Sequence, residues 1–314
     1  MSPTHQPLLF AAPTRWDEAC FAVPAARAMV AAGLPATVLC PAEQDAFWAT
    51  LPGLERLVYG AKTSAKSLAA SLSGRFTTAF LWEPGLAADA CAKAGIAQRL
   101  GPAGERALEK RLTESLPLSA PGPIEHRVRH YLAGAEALGL DTRIPALFEP
   151  AELGVSPVAG SLLLVPDSDF GRSHEWPLER WEELVNKLRE TGESLSISSH
   201  GTWGRELAKR AGESVAALDL PAFGDCLPLL AGFERVIAAD GSLPHLASHA
   251  GATCTVLFGP NEPAWKRPLG KRHTVLRRHV ECSPCFAAKC AVDLRCQTEL
   301  TVEAVLAALS SQPK

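Results

Sequence analysis

Short apolar runs of strand length alternate with helical segments, and the alternation passes through the chain twice. In the first half the runs are PLLFAA, ATVLC, RLVYG and TTAFLWE; in the second they are SLLLVPDS, SLSISS, VAALDL, RVIAAD and CTVLFG. Strands separated by helices must return in the same direction, which gives parallel sheets with right-handed crossovers. The stretch DTRIPALFEPAELGVSPVAG, residues 141–160, is rich in Pro, Gly and Ala without periodicity and reads as the linker. The expected architecture is α/β: two Rossmann-like domains, residues 1–150 and 151–314, whose parallel sheets face a central cleft.

With 314 residues and 47% apolar content the chain can fill two cores. A net charge of −3 provides no basic field for nucleic acid. No stretch of eighteen apolar residues is present, and MSPTHQPLLF has no charged region leading into a long apolar run. The expectation is a cytoplasmic protein. Neither a G-x-x-x-x-G-K-[ST] loop nor a G-x-G-x-x-G after the first strand of either half occurs. P-loop phosphotransferases and dinucleotide oxidoreductases are therefore disfavoured.

Candidate site residues gather where strands end and helices begin. RVIAAD ends in Asp240, and Gly241, Ser242 and His245 open the next helix. Free backbone N–H groups and the helix dipole favour a phosphate there. Ser168 and Asp169 follow SLLLVPDS at the equivalent end, and Arg172 and His174 precede the Trp176-Pro177 helix start. Arg172 is always cationic, whereas His174 is so only when protonated. In the first half, Asp17 follows the first strand and opens a helix running to Ala32, with Pro24 expected to bend or interrupt it. Blander roles remain open: Asp17 as an acid on the helix dipole, Ser242 as a cap, His245 as a buried imidazole. Lys266 and Arg267 read either as an exposed pair or as contacts to an anionic acceptor.

Nine cysteines in a leaderless chain argue for reduced thiols. Cys20, Cys40, Cys91, Cys226 and Cys254 sit singly in apolar surroundings. The other four form Cys282-x2-Cys285-x4-Cys290-x5-Cys296, a set suited in ligand type to a structural zinc but in spacing to no ferredoxin pattern. Reduced thiols tucking a loop, or two local disulfides, are the alternatives.

VPDSDFGRSHEWPLERWEELVNKL resembles the start of the second domain of family 9 glycosyltransferases, the heptosyltransferase-like enzymes. AADGSLPHLASHAGATCTVLFGPNEP is similar to their Asn-Asp-(Thr/Ser)-Gly-x-x-His-Leu-Ala segment and Phe-Gly-Pro turn, and TRWDEACFAVPAARAM to their Gly-Asp…Pro-Ala motif. CSPCFAAKCAVDLRCQTELTVEAVL looks like the cysteine-containing tail of many members.

The resemblance implies a GT-B fold and an inverting, metal-independent transfer of a sugar, commonly a heptose, from a nucleotide-diphospho-sugar such as ADP-heptose. The acceptor is a lipopolysaccharide core or related glycan, held mainly by residues 1–150, and 151–314 hold the donor. Asp17 becomes the base, with Glu18 as fallback, and Ser168, Arg172, His174, Asp240, Gly241, Ser242 and His245 the donor-binding set. No catalytic cofactor is implied. A glycolipid acceptor would add transient contact with the inner membrane surface. The chain departs from the pattern at Trp16-Asp17, at His174 where Lys is common, at Asp167 for Gly, and in the order Gly241-Ser242. Those departures motivate a second reading, a catalytically silent protein binding a nucleotide or glycan. A third makes the four cysteines the centre of a metal or redox sensor.

Overall fold

The computed structural model describes residues 7–118 and 122–311, so the opening MSPTHQ read above for a leader lies outside the described residues. Contacts divide the chain into two units, one comprising residues up to 121 with 127–149, the other residues 122–126 with 150 onward.

In the first unit β1 (Leu8–Ala11), β2 (Ala36–Pro41), β3 (Glu55–Tyr59), β4 (Thr78–Phe80), β5 (Gln98–Pro102) and β6 (Glu114–Leu116) form a sheet ordered β3-β2-β1-β4-β5-β6. Every pairing is parallel. β1 is buried throughout and reads as a continuous apolar run, as a strand covered on both faces should. The helix Trp16–Ala31 runs past Pro24 without the interruption allowed for above. Leu9, Leu39, Leu68, Leu72 and Leu81 form part of one core.

The second unit repeats the plan with β7 (Val158–Val165), β8 (Ser194–Ser198), β9 (Ala216–Leu218), β10 (Phe233–Ala239), β11 (Thr253–Phe258) and β12 (Thr274–Arg277). Its order is β12-β11-β10-β7-β8-β9, again all parallel. The helix Leu178–Arg189 buries Leu178, Trp181, Leu184, Val185 and Leu188, spaced to make one apolar stripe. That stripe packs with Leu162 and Leu164 of β7 and with Val302 and Val305 of the closing helix Val302–Ser310. The expected linker is shorter than 141–160: Pro145–Phe148 is a 3-10 turn and β7 begins at Val158.

In each unit the strand order reverses beside the first strand, between β1 and β4 and between β7 and β10. In doubly wound sheets the crevice at the carboxyl end of such a pair is where ligands bind.

Candidate active site

At the β7/β10 reversal the loop Pro166–Phe170 and the turn Ala239–Ser242 are stitched together. Ser168 Oγ donates to the Asp240 carbonyl oxygen at 2.6 Å and accepts from the Phe170 N–H at 3.1 Å. Asp240 is wholly buried, and its Oδ2 lies within hydrogen-bond distance of Asn261 Nδ2 at 2.7 Å and of His174 Nδ1 at 2.9 Å. Its Oδ1 is buried with no hydrogen-bond partner among the described residues. Burial pushes the Asp240 carboxyl up, against the opposing pull of His174, Asn261 and the Lys266 charge.

The start of the helix Leu243–His249 is already answered by an anion. Asp169 takes the Ser242 N–H at 2.7 Å on Oδ1 and the Ser242 hydroxyl at 2.6 Å on Oδ2. This accounts for the order Gly241-Ser242: a Cβ at position 241 would stand 2.9 Å from Asp169 Oδ1. Asp167, which stands where the family has Gly, turns to the helix Thr202–Ala211, accepting from the N–H groups of Trp203 at 2.8 Å and Gly204 at 2.7 Å. His245 is buried in the helix that Ser242 opens.

Arg172 is engaged elsewhere. Its guanidinium lies 4.5 Å from the centre of the Trp203 ring and pairs with Glu175 at 3.1 Å. Lys266, read above as an exposed residue or an acceptor contact, is buried at 5% exposure.

In the first unit Asp17 lies in the first turn of the helix Trp16–Ala31, just after β1, where the dipole favours a carboxylate. It is wholly buried beneath Arg15, which grips it with Nε at 3.0 Å and Nη2 at 3.1 Å. Glu18 is held by the Tyr131 hydroxyl at 2.6 Å and Arg127 Nε at 2.8 Å. Thr14 N–H donates to Glu83 after β4, which ties the two strand ends of this reversal together.

The four-Cys segment does not assemble a metal site: among the described residues no group of three or more His, Cys, Asp or Glu side chains is placed to hold an ion. The zinc expectation came from four thiolate ligands close together in sequence, and here Cys282 and Cys285 are exposed while Cys296 is buried. Burial first, and then Cys282, Cys285 and Cys290, push the Cys296 thiol up to about 11.

Residues 149–295 match the model of glycosyltransferase family 9 (heptosyltransferase). The match covers just under half of the chain. The family 9 segment contains every residue of the Asp240 network. Lipopolysaccharide heptosyltransferase 1 of Pseudomonas aeruginosa is 31% identical over 118 residues, covering 37% of this chain and 33% of that protein. The matched sequence thus spans about a third of the length of this curated relative. Among solved structures, E. coli ADP-heptose lipopolysaccharide heptosyltransferase II aligns with a TM-score of 0.75 at 17% identity, covering 97% of each chain. E. coli heptosyltransferase WaaC with ADP-2-deoxy-2-fluoro heptose gives 0.71 at 18%, covering 97% of this chain and 99% of that one. The fold is GT-B.

Proposed function

We propose that the chain is an inverting glycosyltransferase that moves a heptose from an ADP-heptose-type donor to a lipopolysaccharide-core or related glycan acceptor. The observation that carries this reading is the Asp240–His174–Asn261 cluster at the β7/β10 reversal, inside the family 9 segment. Support for the donor class comes from WaaC, whose solved complex contains an ADP-heptose analogue.

In this reading the acceptor hydroxyl attacks the anomeric carbon as the bond from that carbon to the phosphate oxygen breaks. Asp17 takes the hydroxyl proton, and the electron pair leaves on the diphosphate. Freeing Asp17 requires its two contacts with Arg15 to open. Charge grows on the departing phosphate, where protonated His174, oriented through Nδ1 by Asp240, supplies a cation. Ser168, Gly241, Ser242 and His245 shape the same strand ends, and Arg172 acts through its clamp on Trp203. A metal on the four cysteines has no part in these steps. No helix among the described residues is long and apolar enough to cross a membrane, so a lipid-linked acceptor would be met by transient contact with the inner membrane surface.

The test is a thermal-shift series with ADP-, UDP- and GDP-sugars, since a ligand of the native state raises its melting temperature by mass action. It is followed by transfer assays on lipopolysaccharide-core acceptors. A selective response to ADP-heptose with transfer supports the enzyme. Binding without turnover on any acceptor supports the silent reading, and no response to any nucleotide-sugar sinks both.

A further inference from the structure

Asp240 receives its two donors from loops far apart in the chain, one ending at His174 and the other containing Asn261. A single buried side chain lies against both loops. Gln297, at 0% exposure, donates from Nε2 to the carbonyl oxygen of Ser173 at 3.2 Å, the peptide that leads into His174. The same amide group packs on Gly259, the start of the turn that carries Asn261. A Cβ at position 259 would fall 2.9 Å from Gln297 Cδ and closer still to Nε2. Gln297 Oε1 is buried with no hydrogen-bond partner among the described residues. An unbonded buried amide oxygen is destabilising, so this side chain is a poor choice for filling space alone.

The segment preceding Gln297 holds the same two loops. Ala288 carbonyl oxygen accepts from the Ser173 N–H at 3.4 Å. Pro260 carbonyl oxygen accepts from the N–H groups of Cys285 and Phe286, each at 3.0 Å, and Ser283 Oγ donates to the Gly259 carbonyl oxygen at 2.7 Å. The four-Cys segment is thus the wall behind the Asp240 network.

We infer that Gln297 is a positioning residue for the donor site. It fixes the spacing between the His174 loop and the Gly259–Asn261 turn, and through them the orientation of the imidazole that faces the leaving diphosphate. The inference rests on the donor reading given above for its consequence in binding, and on the contacts alone for its consequence in the free protein.

Three variants of the full chain test it. Q297L keeps the volume and removes the amide donor. G259A drives a methyl group into the Gln297 side chain, and G259A/Q297A gives that methyl group room. The readouts are ADP affinity by calorimetry and the pH titration of the His174 ring by NMR, assigned by its loss in H174N. Q297L and G259A should each weaken ADP binding on the order of tenfold, as expected for misplacement of binding groups by a fraction of an ångström, and shift the His174 titration. The double variant should bind ADP better than G259A does, a non-additive pair. Wild-type affinity and an unmoved His174 signal in both single variants would overturn the inference, as would strict additivity. If the wild-type chain binds no ADP, the donor reading falls by itself, and the His174 signal in Q297L still decides the positioning role.

Discussion

Nδ1 of His174 stands 2.9 Å from Oδ2 of Asp240, with both side chains buried at the end of the strand pair where the sheet order reverses. Burial raises the Asp240 carboxyl, so the folded chain holds that proton more tightly than the unfolded one. The contribution to stability is full below the ordinary range near 3.8 and is lost as pH rises through the raised value. Wherever the carboxyl is ionised, its charge is therefore kept against folding stability. D240N should leave the melting temperature at pH 7–8 unchanged or higher, while lowering turnover about a hundredfold. A variant that melts well below wild type yet transfers sugar normally would contradict the assignment.

Asp17 offers a cleaner separation of binding from chemistry. A base acts only as the acceptor proton departs, so D17N should reduce kcat by about 10²–10⁴-fold while ADP affinity stays at the wild-type value. Arg15 is largely exposed, so losing its partner should cost little stability. Turnover in D17N within a few-fold of wild type would move the base elsewhere.

Burial lowers four histidines, His126, His130, His200 and His273, and two of them show how this makes the fold acid-sensitive. His130 is buried against Trp82, with ring centroids 5.3 Å apart, and burial lowers it from 6.5 to about 4. His273 is lowered to about 4 by the same cause. Its Nδ1 accepts the Cys254 N–H at 3.1 Å, which leaves Nε2 to donate to Ser248 Oγ at 2.9 Å. Both groups have depressed folded values. Their contribution is fully present above pH 6.5 and is lost as pH falls from there toward 4. For His130 this is on the order of 3 kcal/mol. H130F keeps an aromatic ring beside Trp82 and should flatten the dependence of melting temperature on pH across that window. An unchanged slope would remove His130 from the account.

Gly134 lies inside the helix Val128–Ala137, where alanine would ordinarily be preferred by about 1 kcal/mol. Here a Cβ would meet the Trp82 ring and stand 2.8 Å from Phe80 Cζ. G134A should therefore destabilise by about 1–3 kcal/mol, read as a lower urea midpoint with an unchanged slope. A midpoint at or above wild type would show that the helix can shift without cost.

Much of this was legible in the sequence where burial is two-sided. β1, β2, β7, β10 and β11 are apolar runs because both faces are covered, and their carboxyl ends located Ser168 and Asp240. The strands β5, β6 and β12 were not legible: β6 and β12 are short and nowhere fully buried, and β5, though buried at its end, reads Gln-Arg-Leu-Gly-Pro and has no apolar run. The residues proposed to hold the donor fell at the expected strand ends, but their partners did not announce themselves. Asn261 and Gln297 join the cluster across 21 and 124 residues of chain, through tertiary contacts that no local spacing encodes. Nor could spacing show that Arg172 would stack on Trp203, or that four cysteines would leave two thiols facing solvent.

If the donor phosphate binds beside Ser242, as proposed, the Asp169 carboxylate makes its entry an exchange, not the filling of a vacancy. The incumbent is tethered and has no translational freedom to surrender, so a bare inorganic anion is a weak rival. Selectivity then belongs to molecules with further handholds, which can evict the carboxylate because the rest of their body is already secured.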